Sequence, residues 1–222
     1  MLHPLLVKII DTPEFQRLRH ISQLGGVYHV YPGSGHNRFE HSIGTAHLAG
    51  KLARHLKDVH SKDDTTREGH ITVDISEKDI LCVEIAGLCH DLGHGPFSHL
   101  FDKKFIKALP EDTDEGILRW KHEQGSCDVF DRLMGRESVQ NYIKCMKPEM
   151  KINQEDLKLI KSMIKPKNGE TVNYFSRGED KSFLFEIISN EKSGVDVDKW
   201  DYFARDCHHL GIANGFDHNR FI

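Results

Sequence analysis

The segment that most constrains the fold is the apolar run at residues 80–88, which leads almost directly into His90-Asp91. Ser76 and Asp79, three residues apart, form the pattern of a capping box and predict that a helix begins just before this run. Because that helix would be apolar nearly all round, it is expected at the centre of the domain. The glycines that follow the His-Asp pair then break the helix. The sequence therefore predicts a buried core helix with the pair at its C-terminal end.

Two upstream segments carry further helix signals. Thr12 is a plausible N-cap and Pro13 suits the first helical position, which predicts a helix that continues to Leu24 before two glycines end it. Asn37, with Glu40 three residues later, again resembles a capping box and predicts a helix to about residue 56.

A C-terminal helix is predicted at 197–210, ending before Gly211, with Asp198, Tyr202 and Asp206 spaced four apart on one face. No internal repeat or low-complexity tract is visible. The sequence predicts an all-α fold, one mainly helical domain with irregular loops. The remaining expectations are a short strand or extended linker at 26–32, a surface loop at 58–74, and a polar stretch at 144–180 with one short helix at 154–164.

Composition narrows the function classes. The chain has 222 residues, 38% of them hydrophobic and 29% charged, as is typical of a soluble globular protein. No apolar run approaches a membrane span, and the five cysteines, without a Cys-x-x-Cys pair, are typical of an intracellular protein. A formal net charge of −4 argues against a nonspecific nucleic-acid binder. A polyanionic substrate would therefore need a local metal ion or a few placed Lys and Arg side chains.

Four residues are candidate ligands of one metal ion: His41, His90, Asp91 and Asp198. Two imidazoles and two carboxylates suit a hard or borderline divalent cation and leave positions open for water and a phosphate oxygen. Such an ion would polarise a phosphoryl group and lower the pKa of bound water. Taken singly, each residue has an ordinary structural alternative, such as a surface or hydrogen-bonded core histidine. Their joint order, a His, then His-Asp, then a distant Asp, is typical of the HD metal-dependent phosphohydrolases.

Three further histidines are candidates for the chemistry beside the metal. His94 and His99 follow the His-Asp pair closely enough to reach a bound phosphate, and a histidine can donate to phosphate oxygens or move a proton near neutral pH. His122 is predicted to be the general acid that protonates the leaving oxygen. The alternative for His122 is a helix-cap histidine or one that only supports a metal ligand.

Other polar residues near these ligands are candidates for binding a nucleotide. Arg38 and Lys199 would neutralise polyphosphate charge, although either could form an ordinary surface salt bridge instead. Tyr202 could flank a sugar and Asp206 could accept a hydrogen bond from a sugar hydroxyl, or both could be plain helix residues. The glycines at 93 and 95 form no Rossmann or P-loop pattern, which excludes a nucleotide fold of that kind.

Several long strings of this sequence resemble one family. Residues 3–7, 11–19, 36–42 and 198–206 are similar to the deoxynucleoside triphosphate (dNTP) triphosphohydrolases, in particular the vertebrate enzymes that join a sterile-alpha-motif domain to an HD domain. The resemblance covers most of the chain and is weakest at 58–74 and 135–180. It implies hydrolysis of a dNTP to deoxynucleoside and inorganic triphosphate.

The resemblance also implies roles for individual residues. The metal would be zinc, iron or manganese, with magnesium on the nucleotide phosphates, and His122, His94 and Asp91 would be catalytic. Leu24 and Tyr202 would help to exclude a ribose 2′ hydroxyl. Asp206 with Gln23 would hold the 3′ hydroxyl. The implied substrate-pocket residues are Gln23, Leu24, Arg38, His94, His99, Asp196, Lys199, Tyr202 and Asp206.

Members of this family are activated by GTP and dNTP, which bind at separate sites and lead to assembly of a homotetramer. Asp11, Gln16 and Arg19 match the guanine-reading positions, and their chemistry fits the guanine donors and acceptors. An ordinary polar helix face is the alternative. Arg220 matches a contact to the second activator, and Val30 and Tyr31 would lie near the same interface.

The resemblance implies further properties that no residue here reveals. They are a nuclear location, with the cytoplasm as a second compartment, lowering of cellular dNTP pools in antiviral innate immunity, and binding of single-stranded nucleic acid. Residues 1–222 would form a partial HD phosphohydrolase domain that lacks an N-terminal segment and a C-terminal lobe. Two alternatives stay open: another HD nucleotide phosphohydrolase, which would release a different phosphate product, and an inactive module that binds nucleotides and oligomerises.

Overall fold

The computed structural model describes residues 2–62, 74–166 and 181–222. Within these ranges the fold is all-α, as predicted, and the only β pairing is an isolated antiparallel bridge between Ser22 and Asn37. Short 3-10 segments connect the helices. The α-helices are α1 Pro4–Ile10, α2 Pro13–Gln16, α3 Arg38–Lys62, α4 Glu77–Cys89, α5 Glu115–Leu118, α6 His122–Met134, α7 Glu137–Cys145, α8 Gln154–Ile164, α9 Phe183–Ile188 and α10 Val197–Leu210.

The apolar helix α4 lies at the centre of the domain, as predicted. Every residue from Asp79 to Cys89 is buried, and the helix packs mainly against α3 and α8. The Ser76 hydroxyl accepts from the Asp79 backbone N–H, and the Asp79 carboxylate accepts from the Ser76 N–H, which confirms the capping box. Burying a helix on all sides secures its C-terminal end, where His90 is the C-cap residue.

Helix α10 packs across the first half of α3. A Cβ at Gly44 would lie 1.9 Å from the Asp201 carboxylate, so only glycine lets α10 approach this closely. The helix runs from Val197 to Leu210 and ends at Gly211 with a φ of 68°, which confirms the prediction for this segment. This packing brings the N-terminal turn of α10 beside the end of α4.

The prediction of one helix from Pro13 to Leu24 is wrong in its extent. Helix α2 ends at Gln16, a 3-10 turn covers Arg17–His20, and Ile21 is extended. The reason is long-range backbone pairing. The carbonyl of Ile21 accepts from the Arg38 N–H, and the carbonyl of His36 accepts from the Gln23 N–H. These bonds compete with helical ones and hold residues 21–24 against the start of α3.

The expected strand or extended linker at 26–32 is also wrong, because Gly25–His29 forms a 3-10 helix. The Val27 carbonyl accepts from the N–H groups of Val30 and Tyr31, and Val30 is 76% exposed. A strand is favoured when alternate side chains are buried against a partner. This segment has no such buried face, so an extended conformation is not favoured.

Other boundaries differ less. Helix α3 begins where Asn37 predicted, with the Asn37 N–H donating to Glu40, but it continues beyond residue 56 to Lys62. Helix α8 confirms the short helix expected at 154–164. The expected polar segments at 58–74 and 144–180 fall partly outside the described residues. Helices α1, α5, α6, α7 and α9 were not predicted. Among the described helices, none combines the length and apolar character that a membrane span needs.

Candidate active site

A cavity of about 450 Å³ opens where the end of α4, the start of α10 and the loop after His90 meet. This volume lies within the roughly 300–1,000 Å³ typical of small-molecule sites. All nine residues predicted to contact substrate line it, together with His90, Asp91, His122 and Asp198. The other lining residues are Glu123, Met163, Ile164, Ile188 and Ser189.

The two predicted histidine ligands are oriented in the same way. The Nδ1 of His41 lies 2.7 Å from an oxygen of Asp201, and the Nδ1 of His90 lies 2.8 Å from the carbonyl of Gly87. These acceptors assign the Nδ1–H form to both rings. Both Nε2 atoms are buried and have no hydrogen-bond partner among the described residues. The two Nε2 atoms therefore face one point beside the cavity, as metal-binding histidines require.

The two predicted carboxylate ligands lie against these nitrogen atoms. Asp198 Oδ1 is 3.0 Å from His41 Nε2 and 3.4 Å from His90 Nε2. Asp91 Oδ2 is 3.4 Å from each of the same atoms, and it also accepts from Arg38 at 2.5 Å. His41, His90 and Asp198 form a potential metal-binding group. Asp91 is adjacent to it, held by Arg38.

The protonation of this group reflects its excess of negative charge. Burial by itself lowers the pKa of His41, but the nearby carboxylates of Asp198 and Asp201 outweigh burial and raise the pKa to about 9. Burial likewise opposes protonation of His90, and the charges of Asp91 and Asp198 outweigh it, so its pKa is also raised. Burial would raise the pKa values of both aspartates, yet their cationic neighbours hold them below the usual range. The excess of carboxylates at this site therefore favours binding of a cation.

The donor set fits a divalent metal ion. Two imidazole nitrogens and two ionised carboxylates are ligands that zinc, iron and manganese accept. The unsatisfied Nε2 atoms of His41 and His90 are the observation that supports such an ion, because buried polar atoms otherwise find partners. The geometry supports a metal-binding site without identifying the metal.

The other three predicted histidines form a separate group in the same cavity. The rings of His94 and His122 stack with centroids 4.0 Å apart, and His99 packs edge-on against both. Their nitrogen atoms are also close enough to form a potential metal-binding group. Burial lowers the pKa of His94 to about 4 and also lowers that of His99, so both rings are neutral at pH 7. Neutral rings beside a cavity can donate hydrogen bonds to an anion.

His122 is held at the start of α6 by two contacts. Its Nδ1 lies 2.8 Å from Asp102 Oδ2, a pairing that orients the ring. The loop glycine Gly93 packs so closely on the first turn of α6 that a Cβ there would lie 2.3 Å from the His122 carbonyl oxygen. The Ser126 hydroxyl accepts from the Gly93 N–H at 2.9 Å and donates to the His90 carbonyl at 2.6 Å. The loop and α6 are therefore joined through backbone contacts.

The predicted phosphate-binding cations occupy different settings. Arg38 is buried, and besides Asp91 its Nε donates to the Ser98 hydroxyl at 3.0 Å. Lys199 is partly exposed and contacts Asp196, which caps the first turn of α10. Arg38 is thus held by buried partners, whereas Lys199 lines the cavity from a partly exposed position.

The residues predicted to bind activators lie outside the cavity. Asp11, Arg19 and Arg220 are exposed, as are Val30 and Tyr31. Arg19 donates to the Gln16 side chain at 2.7 Å and stacks on the Phe39 ring at 3.5 Å.

Residues 38–206 match the family model of the HD domain. That range begins at the first residue of α3 and includes all four predicted metal ligands. The chain belongs to the HD-domain family.

Relatives of this HD domain are similar over nearly its whole length. It is 53% identical over 231 residues to the deoxynucleoside triphosphate triphosphohydrolase SAMHD1 of Homo sapiens, an alignment that covers 100% of this chain and 33% of that protein. The Bos taurus protein of the same name is 52% identical over 227 residues (99% and 35%). A homolog in Dictyostelium discoideum is 35% identical over 217 residues (98% and 36%). The chain thus spans about a third of the length of these curated relatives.

Sequence reasoning missed several residues that hold the HD site in place. Asp201 orients His41 and is itself held by Arg205 at 2.7 and 2.8 Å, and their i, i+4 spacing on α10 was a usable signal. Asp102 and Ser126 gave no signal, because each meets its partner through contacts distant in sequence. Arg17, which donates to the Leu92 and His94 carbonyls, was also missed.

Proposed function

We propose that this HD domain hydrolyses dNTPs to deoxynucleoside and inorganic triphosphate. The observation that carries the proposal is the pair of unsatisfied, buried Nε2 atoms of His41 and His90 beside Asp198, in a cavity that also holds cationic and sugar-directed side chains. The names of the similar proteins support the same substrate class. Because these relatives are about three times longer, the activity of this chain needs its own test.

In the proposed reaction, His41, His90, Asp91 and Asp198 hold one divalent ion. When bound, the ion would supply Lewis-acid stabilisation of charge on the phosphoryl group and acidify water. Arg38, beside Asp91, is placed to neutralise phosphate charge at the same point.

Proton transfer and phosphate binding are assigned to the second histidine group. His122, oriented by Asp102, would protonate the leaving 5′ oxygen. His94 and His99 are neutral and would donate to phosphate oxygens, with Lys199 supplying a mobile positive charge. Asp196, which contacts Lys199, would hold that charge near the phosphates.

The sugar end of the pocket is assigned to α10 and the segment before α3. Tyr202 and Leu24 would exclude a ribose 2′ hydroxyl, while Asp206 and Gln23 would hold the 3′ hydroxyl. Asp198, Tyr202 and Asp206 all line the cavity from one face of α10, which supports a substrate that extends along this helix from metal to sugar.

A product assay tests the proposal. Metal-loaded protein is given dGTP, or dATP with and without GTP, beside a variant carrying His90→Ala and Asp91→Ala. We expect triphosphate and deoxynucleoside from the wild type and none from the variant. His47→Ala is the control, because His47 is an exposed histidine outside the cavity. Release of pyrophosphate or single phosphate would instead favour another HD nucleotide phosphohydrolase, and absence of turnover would contradict hydrolysis by this chain.

The finer proposals rest on the resemblance alone. Zinc, iron or manganese would occupy the HD site, with magnesium on the phosphates. GTP and dNTP would activate through Asp11, Gln16, Arg19, Val30, Tyr31 and Arg220 in a homotetramer. Stimulation of dATP hydrolysis by GTP and a mass change in light scattering would test these two points. A nuclear role that lowers dNTP pools in antiviral defence, and binding of single-stranded nucleic acid, belong to the same proposal.

A further inference from the structure

One buried histidine near the cavity has no part in the proposed chemistry. His36 lies two residues before α3 and is only 1% exposed. Its Nε2 is 2.6 Å from Oδ1 of Asp206, which lines the cavity from the last turns of α10. His36 itself does not line the cavity. It therefore reaches the pocket only through the Asp206 carboxylate.

The His36 ring is held on a second side. It stacks on His209 with centroids 4.2 Å apart and planes 9° from parallel. His209 is in turn 3.3 Å from the Gly33 carbonyl through its Nδ1, and a Cβ at Gly33 would lie 2.6 Å from the His209 carbonyl oxygen. The end of α10 and the turn before α3 thus enclose the imidazole, so its orientation is determined by packing as well as by Asp206.

The hydrogen-bond pattern indicates that His36 is the donor and Asp206 the acceptor. His36 Nδ1 is buried and has no hydrogen-bond partner in the parts of the chain that the structure describes. A proton on Nδ1 would leave a buried donor unsatisfied, so the arrangement favours the form with the proton on Nε2, which donates to Asp206. A carboxylate that accepts this bond on one oxygen keeps free acceptor positions for another donor. Asp206 is therefore prepared to accept from a ligand.

We propose that His36 is a positioning residue that holds the Asp206 carboxylate in the orientation that accepts a hydrogen bond from a sugar 3′ hydroxyl. This proposal rests on the proposed function, because it takes the substrate to be a dNTP. The role is distinct from packing alone, since it predicts an effect only on substrates that carry the 3′ hydroxyl.

The test compares dATP with 2′,3′-dideoxyadenosine triphosphate, which lacks that hydroxyl. The variants are His36→Leu, His36→Gln, Asp206→Asn and the double variant of His36→Leu with Asp206→Asn. In His36→Gln, the amide nitrogen of the introduced side chain can occupy a position near that of the imidazole Nε2 and donate to Asp206. His47→Leu is the matched control at an exposed histidine. Thermal melting of each variant checks that it is folded.

We expect His36→Leu to lower kcat/KM for dATP at least about 10-fold while changing that for the dideoxy substrate less than about twofold, because a hydrogen bond to a charged group is lost only with dATP. His36→Gln should recover most of the loss. The double variant should be no worse than Asp206→Asn. Equal losses with both substrates would overturn the proposal and leave a purely structural role.

A crystal structure of His36→Leu provides a readout that does not depend on activity. We expect the Asp206 carboxylate to leave the orientation seen in the wild type. If the carboxylate stays in place, the positioning role is wrong, whatever the enzyme does. If the wild type hydrolyses neither substrate but Asp206 moves in the variant, the proposed function fails while the structural part of the inference stands.

Discussion

Two groups of histidines share one cavity, and they are built differently. In the first group, His41 and His90 each bind an acceptor through Nδ1 and direct an unpartnered Nε2 toward Asp198. In the second, the rings of His94 and His122 stack face to face, and each ring contacts a different carboxylate, Asp91 or Asp102. The first arrangement directs two Nε2 atoms to one point. The second arrangement presents ring edges to the cavity.

The pKa values of the histidines also differ between the two groups. Carboxylates raise the pKa of His41 to about 9, whereas burial lowers that of His94 to about 4. A region that binds protons this tightly also attracts a metal cation, whereas a neutral ring such as His94 can donate a hydrogen bond to an anion. Residue type alone therefore does not assign the role of a histidine. The burial of the ring and the charges around it do.

The largest effect that would separate the groups is loss of the metal. His41→Ala should lower metal affinity by more than about 100-fold and abolish hydrolysis, since changes to residues that merely support a ligand already cost about 10–100-fold. Metal content by mass spectrometry and the product assay measure both. His47→Ala, on the same helix but exposed, should retain metal and activity. A His41→Ala protein that binds metal as tightly as wild type would contradict the assignment.

A smaller effect is expected from the second group. His122→Gln should lower kcat by about 100-fold, near the lower limit of what a general acid contributes, while metal content stays unchanged. Asp102→Asn should also lower kcat, but by less, because it disturbs only the orientation of His122. His20→Gln, at an exposed histidine, is the control. Loss of metal from the His122 variant would remove the distinction between the groups.

The smallest expected effect is a pH dependence. Because the pKa of metal-free His41 is raised to about 9, this ring carries a proton at pH 7 that a metal ion must displace. Asp91 and Asp198 have lowered pKa values and release none. The logarithm of the affinity for Zn²⁺ should thus rise by about one unit per pH unit from pH 7 toward pH 9 for each proton displaced. Calorimetry in buffers of different ionisation enthalpy counts the protons, and a flat profile would contradict the raised pKa.

How much of the fold could be read from the sequence depended on how local its signals were. Ser76 with Asp79 and the glycine after Leu210 marked helix ends that the structure confirms, because caps act within a few residues. The segment 21–32 was predicted wrongly. The conformation of its first part, residues 21–24, is set by backbone pairing with residues 36–38, which no local pattern reveals.

For the candidate site, too, the residues that could be predicted were those with local sequence signals. The structure places three of the predicted ligands and all nine predicted substrate residues in the lining of one cavity, with His41 buried beside them, while their chemical roles remain predictions. Asp102 and His36 escaped notice because each acts through a partner distant in sequence. A motif identifies side chains that face a ligand, but the residues that orient them become visible only once the helices are packed.

The contact at Gly93 has a consequence for how this site tolerates change. Loop and helix meet there backbone to backbone, with Ser126 N only 2.2 Å from where a Cβ would be. The loop that follows His90 and Asp91 thus packs directly on the first turn of α6, which carries His122. The distance from these two residues to His122 is therefore set by this contact. It is sensitive to one added methyl group at a residue that has no chemistry of its own.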